Sequence, residues 1–246
     1  KKFADYGVKM AGAENPELDF PTVNKRRDEI VKTMTGGVGF LMKKNKVDVL
    51  RGVGSIEGVG KVSVDENGKK TSLTCKNILI ASGSRARHLP SIKIDGKLIV
   101  TSEEIWAFDK VPETFAVLGG GVIGCEFASL YGRFGSKVTI LEMADQICPT
   151  EDHETAAELA KALKKQNCEI LTSTKTKSMV VKNGKVEVQV EGEAAPRIFE
   201  KALVSVGRAP NVENIGLEKV GIKLNERGFI PVDIKTYQTS VPSIYA

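Results

Sequence analysis

Apolar and polar positions divide the chain into segments of two periodicities. Across residues 24–45, NKRRDEIVKTMTGGVGFLMKKN, the apolar residues Ile30, Val31, Met34, Val38, Leu41 and Met42 recur at helical spacing, which predicts one or two amphipathic helices. Gly36 and Gly37 interrupt that pattern, and glycine weakens a helix interior. KVDVLRGVGSIEG then reads as a short strand leaving through glycine turns. KVSVDENGKKTSL alternates apolar and polar residues around Asn67-Gly68, a strong short-range hairpin signal. The apolar run NILIASGS follows as a buried strand.

The same order returns in the second half. TFAVL predicts a strand, a glycine-rich turn leads into the helical pattern VIGCEFASLYGRFG, and SKVTILE predicts the next strand. Residues 151–167 form an amphipathic helix with Ala156, Leu159, Ala160 and Leu163 on one face. MVVKNGKVEVQV is a second hairpin around Asn183-Gly184, and KALVSVGRAPN a second apolar strand followed by glycine and arginine. Two passes through hairpin, buried strand and Gly-Arg exit indicate a duplicated architecture. No glycine loop precedes the first hairpin where the second copy would place it, so the first copy is expected to begin upstream of Lys1.

The glycine turn carries the most specific chemistry. Gly119, Gly120, Gly121, Val122, Ile123 and Gly124 fit G-x-G-x-x-G, a weak pattern alone but an informative one between a predicted strand and helix of a βαβ unit. The first glycine makes the tight turn, Gly121 admits a pyrophosphate to the backbone, and Gly124 lets helix and strand pack closely. Unpaired N–H groups at the helix start would hold the phosphates. Glu142 ends the next strand, placed to accept hydrogen bonds from an adenosine ribose, and its charge would repel a 2′-phosphate, favouring NAD over NADP. The competing reading of Glu142 is a solvated acid at a strand end. Glu126 has two readings of equal weight, a functional carboxylate and an acid favoured by the helix dipole.

Composition narrows the class without changing the site. Thirty-six basic and 31 acidic residues among 246 give a net charge of +5, with lysines interleaved among acids, which argues against nucleic-acid or membrane binding. The glycine-rich stretch from Phe115 to Cys125 is too short to span a bilayer. Cys75, Cys125, Cys148 and Cys168 match neither a zinc pattern nor C-x-x-C, so they are expected as free thiols in a reducing compartment, with no metal site.

Taken together, VPETFAVLGGGVIGCEFASLYGRFGSKVTILEMADQI, ALVSVGRAPN, RGFIPVDIKTYQTSVPSIYA and KNILIASGSRARHLP resemble segments of the pyridine nucleotide-disulfide oxidoreductases, and within them the branch that oxidises dihydrolipoyl groups. The resemblance implies an α/β fold of two dinucleotide-binding, Rossmann-like domains with β-meanders, the FAD domain incomplete. Residues 1–112 would be the later part of the first FAD-binding segment, 113–235 an inserted NAD-binding domain, and 236–246 the start of the return into the FAD domain. Gly119 to Gly124, Glu126, Glu142 and Gly207 would contact NAD, with the Thr176 backbone near the adenine. Glu126 would face nicotinamide and flavin as the catalytic carboxylate, and Gly54, Ser82, Gly83 and Ser84 would line FAD, with Arg208 close to the flavin side. The implied reaction is flavin-dependent oxidation of dihydrolipoyl groups with hydride transfer from FAD to NAD. Lipoyl domains of 2-oxo acid dehydrogenase complexes would be the partners of a homodimer in a bacterial cytoplasm or mitochondrial matrix.

Several features of that family are expected outside these residues: its FAD glycine motif, its C-x-x-x-x-C redox disulfide, the lysine that pairs with the helix glutamate, and the dimerisation domain. Ala86 stands where the family often has proline and Ser82 where threonine is usual, while His88 and His153 are expected as surface residues. A mercuric reductase or soluble transhydrogenase relative would share this core, and an NAD-binding piece without turnover is the alternative from a different class.

Overall fold

The computed structural model describes residues 6–10 and 16–246. Its strands in chain order are β1 (Val8–Met10), β2 (Pro16–Leu18), β3 (Val53–Gly58), β4 (Lys61–Glu66), β5 (Lys69–Thr74), β6 (Ile78–Leu79), β7 (Ser84–Ala86), β8 (Ile99–Val100), β9 (Thr114–Leu118), β10 (Lys137–Leu141), β11 (Cys168–Leu171), β12 (Thr176–Lys182), β13 (Lys185–Val190), β14 (Arg197–Phe199), β15 (Lys201–Val204), β16 (Arg208–Pro210) and β17 (Ile244–Tyr245). Three α-helices accompany them, α1 (Phe20–Lys44), α2 (Val122–Arg133) and α3 (His153–Lys164). The chain separates into two compact units, residues 1–33 with 86–207, and residues 34–85 with 208–246.

The first unit is built on a five-stranded sheet in the order β11-β10-β9-β15-β8, and every neighbouring pair is parallel. Parallel strands need crossovers, and parallel sheets are covered on both faces. Here α2 crosses between β9 and β10 and α3 between β10 and β11. Alternate residues of β9 point to opposite faces. Phe115 and Val117 pack with Phe127, Tyr131 and Leu163 of the helices, while Ala116 and Leu118 pack with Met179, Val186, Val188 and Phe199 of the antiparallel sheet β12-β13-β14. Asp152 caps α3 by accepting from the Thr155 N–H at 3.0 Å, as a helix N-terminus requires.

The second unit carries the meander β3-β4-β5 and two short pairs, β6 with β17 and β7 with β16. Its apolar centre is Ile56, Ile78, Leu217, Ile222 and Ile244. Gly216, with φ +83°, lies so close to β3 that a Cβ would stand 2.1 Å from the Ile56 carbonyl oxygen.

One element falls within its sequence expectation and another departs from it. The segment expected as one or two helices is a single helix, α1, running through Gly36, Gly37 and Gly39. Along its later turns the apolar residues Met34 and Val38 are 69% and 56% exposed, while Phe20 in its first turn is buried. The apolar run NILIASGS is a strand only at Ile78–Leu79, where Ile78 is buried and Leu79 71% exposed. Pairing explains this, since β6 has a described neighbour, β17, on one edge alone, whereas β15 has neighbours on both and is buried over Ala202–Val204.

Candidate functional site

In open α/β sheets, ligands bind beyond the carboxyl ends of the strands where the strand order reverses. That point lies at the exit of β9, from which the chain passes to β10 on one side, while β15 returns on the other. The glycine turn occupies it. Gly119 has φ +98°, and a Cβ there would stand 2.5 Å from the Ser205 carbonyl oxygen. A Cβ on Gly124 would lie 2.0 Å from the Gly119 carbonyl oxygen. Gly121 is different in kind: a Cβ would meet nothing within 4 Å. It is the N-cap of α2, and no side chain caps that helix, which leaves the N-terminal amides for a ligand.

A cavity of about 570 Å³ opens beside this turn, lined by Gly119, Gly121, Val122, Ile123, Glu142, Thr176 and Gly207, together with Arg87, Met143, Pro149, Lys175, Ser205 and neighbouring residues. Its size suits a small-molecule or cofactor site. Thr176 Oγ1 is a buried side-chain oxygen without a hydrogen-bond partner. Buried polar atoms are normally paired, so this hydroxyl is a polar contact left over at the cavity wall. Open space at Gly121, an uncapped helix start and a spare hydroxyl all fit a dinucleotide.

Glu142 is held more firmly than its place at a strand end indicated. Its Oε2 accepts from the Gly120 N–H at 2.6 Å and its Oε1 from the Ala144 N–H at 2.8 Å. Its own backbone donates to the Leu171 carbonyl and accepts from Thr174. The carboxylate thus clips the glycine turn to the exit of β10 while keeping acceptor capacity for a ligand. Gly120 spends its N–H on this clip and does not line the cavity.

The remaining sequence-selected residues lie elsewhere. Glu126 is exposed on α2 and outside the cavity lining. Gly54, Ser82, Gly83 and Ser84 belong to the second unit and are exposed. There the Ser82 hydroxyl donates to the Asn211 carbonyl at 2.6 Å, and the Ser84 hydroxyl accepts from Arg208 Nε at 2.7 Å. A Cβ on Gly54 or Gly83 would meet nothing within 4 Å, and the Gly83 carbonyl accepts from the Asn211 N–H at 3.0 Å.

Sequence reasoning missed Ser205, whose hydroxyl donates to the Gly119 carbonyl at 2.9 Å and ties the exit of β15 to the glycine turn. Its only signal was a small polar residue after an apolar run. The cysteines likewise meet only in space. Cys125 and Cys148 sulfurs are 3.9 Å apart, and the Gly120 carbonyl accepts from the Cys125 thiol at 3.3 Å and the Cys148 N–H at 2.7 Å. Burial, with Cys148 adding to it, pushes the Cys125 thiol up to about 12, and burial also raises Cys168. Because the thiolate is the reactive form, alkylation of the native protein at mildly alkaline pH should modify half-exposed Cys75 first. Mass spectrometry showing Cys125 labelled as fast as Cys75 would contradict this packing.

Among the described residues, no helix is long and apolar enough to cross a membrane, and no group of three or more His, Cys, Asp or Glu side chains could hold a metal ion.

Comparison with known proteins places this geometry. A family model described as pyridine nucleotide-disulphide oxidoreductase matches residues 5–246. Dihydrolipoyl dehydrogenase of Bacillus subtilis is 39% identical over 254 residues, covering 98% of this chain and 52% of that protein. The mitochondrial dihydrolipoyl dehydrogenase of Dictyostelium discoideum is 39% identical over 252 residues, covering 100% of this chain and 51% of that one. Among solved structures, LpdA from Mycobacterium tuberculosis superposes with a TM-score of 0.85 at 25% identity, covering 92% of this chain and 50% of that one. The HOCl-induced flavoprotein disulfide reductase RclA from Escherichia coli gives 0.81 at 28% identity, covering 91% and 50%. The chain spans about half the length of the curated relatives it matches, and it belongs to the pyridine nucleotide-disulphide oxidoreductase family.

Proposed function

We propose that the first unit holds NAD and that the second contributes part of an FAD site, in an intact protein that oxidises dihydrolipoyl groups. The observation that carries the NAD reading is the cavity at the exit of β9, with Gly121 open on its floor and the Glu142 carboxylate on its wall. Amides at the start of α2 would take the diphosphate, and Glu142 the adenosine ribose hydroxyls. Thr176 and Gly207 would complete the contact. When bound, the nicotinamide supplies the hydride-accepting ring; the residues of this chain orient it and set the charge around it. Glu126, exposed on α2, is assigned to the nicotinamide and flavin side of that ring. Gly54, Ser82, Gly83 and Ser84 are assigned to FAD, with space beside the two glycines and with the Ser82 and Ser84 hydroxyls already engaged.

In this reading residues 113–235 make up the NAD domain and residues 1–112 and 236–246 the flavin domain, so the NAD domain shares residues 113–207 with the first unit, and the stretch 86–112 of the flavin segment packs with it. The two dihydrolipoyl dehydrogenases support that substrate class. Lipoyl domains of 2-oxo acid dehydrogenase complexes would then be the partners of a homodimer, in a bacterial cytoplasm or mitochondrial matrix. None of the four cysteines forms the C-x-x-x-x-C spacing, and no redox step is assigned to them. The intact protein, given dihydrolipoamide and NAD, is expected to produce NADH continuously. A protein that binds NAD yet turns over no dithiol would leave only the nucleotide-binding part standing.

A further inference from the structure

The cavity is lined by two cationic side chains and a single carboxylate, and they are not equivalent. Lys175 pairs with Glu191 at 3.4 Å. Arg87 is exposed, and no described residue makes a hydrogen bond or ion pair with its guanidinium. Its backbone N–H donates to the Gly207 carbonyl at 3.0 Å, which fixes Arg87 just beyond the exit of β15. Glu142 stands at the exit of β10. In the sheet β9 lies between β10 and β15, so the glycine turn that follows β9 separates the carboxylate from the arginine.

We infer that Arg87 is a positioning residue for the diphosphate of the bound dinucleotide, on the side of the nicotinamide nucleotide. The inference rests on the NAD reading of this cavity. A dinucleotide with its adenosine ribose on Glu142 passes its diphosphate over the glycine turn and runs toward the exit of β15. The two phosphates carry two negative charges. The start of α2 offsets them with the equivalent of about half a charge, and Glu142 repels them. Arg87, free of any described partner, supplies the missing countercharge through a planar fork of donors suited to phosphate oxygens. Its place also excludes one competing role: lying across the turn from Glu142, it is not a receptor for a 2′-phosphate on the adenosine ribose.

The test compares Arg87→Ala and Arg87→Lys in the intact protein, titrated with NAD, ADP-ribose and AMP at low and high salt. Arg87→Ala should bind NAD and ADP-ribose about tenfold more weakly at low salt, with a shallower dependence on ionic strength, while AMP stays within about twofold of the parent. Arg87→Lys should recover the salt dependence and part of the affinity. Unchanged ADP-ribose affinity in Arg87→Ala, or an equal loss for AMP, would overturn the assignment while leaving the NAD reading intact. Parent protein that binds neither NAD nor ADP-ribose would overturn the NAD reading itself, and this inference with it.

Discussion

Gly124→Ala is expected to destabilise the first unit by about 1–3 kcal/mol and to abolish NAD binding, whereas Gly121→Ala should fold normally and still bind NAD at least about tenfold more weakly. The two glycines share one turn, but their surroundings differ. A methyl group at Gly124 would lie 2.0 Å from the Gly119 carbonyl oxygen and 2.9 Å from the Ser205 hydroxyl. The first obstacle is backbone, so α2 would have to move away from β9, taking its N-terminal amides with it. At Gly121 the methyl meets no protein atom within 4 Å, and φ −71° suits alanine. The methyl would occupy space at the edge of the cavity instead. Thermal unfolding and nucleotide titration of the two variants separate these effects. Parent-like stability in Gly124→Ala would mean that the close approach of α2 to the turn is not required.

Glu142→Gln should lower both stability and NAD affinity, and for separable reasons. Each carboxylate oxygen already accepts a backbone N–H, from Gly120 at 2.6 Å and from Ala144 at 2.8 Å. An amide offers one acceptor oxygen and sets its NH2 against the other donor, a loss of about 1.5–3 kcal/mol for a hydrogen bond to a charged group. Removing the charge also removes the repulsion of a 2′-phosphate. The expected result is a lower unfolding temperature, NAD binding weakened about tenfold, and a ratio of NADP to NAD affinity that rises. An unchanged ratio would sink the ribose assignment, and an unchanged unfolding temperature would sink the clip between β10 and the turn. Glu142→Arg is the less informative variant because it removes the clip and adds a phosphate-binding cation at once.

Both hairpins were legible residue by residue. Asn67 and Gly68 have φ +54° and +87°, and Asn183 and Gly184 have +50° and +70°, the paired positive angles that a two-residue hairpin turn demands. The glycine turn was legible for the same reason: strand, turn and helix start lie within a dozen neighbouring residues, and the backbone angles they need admit few residue types. The helix over 24–45 was legible as a helix but not in its continuity, because the glycines that weaken it are outvoted by long, good helix-forming neighbours.

Who meets whom across the site was not written in any local pattern. Ser205 bonds to a carbonyl 86 residues away, Cys148 packs on Cys125 across 23 residues, and Arg87 joins Gly207. Ser205 reaches the turn because the order β11-β10-β9-β15-β8 sets the exits of β15 and β9 side by side, whereas the contact of Arg87 with Gly207 continues the separate pair β7-β16. Glu142 shows both levels at once. Its spacing from the glycines marked it as a ligand for a ribose, yet its second task, holding the turn by two backbone N–H groups, exists only because β9 and β10 are neighbours. Turns and helix starts are dictated by sterics and hydrogen bonds within a few residues, so the chain spells them out. The cavity wall is a product of strand order and close packing, whose partners are chosen by burial across the whole unit.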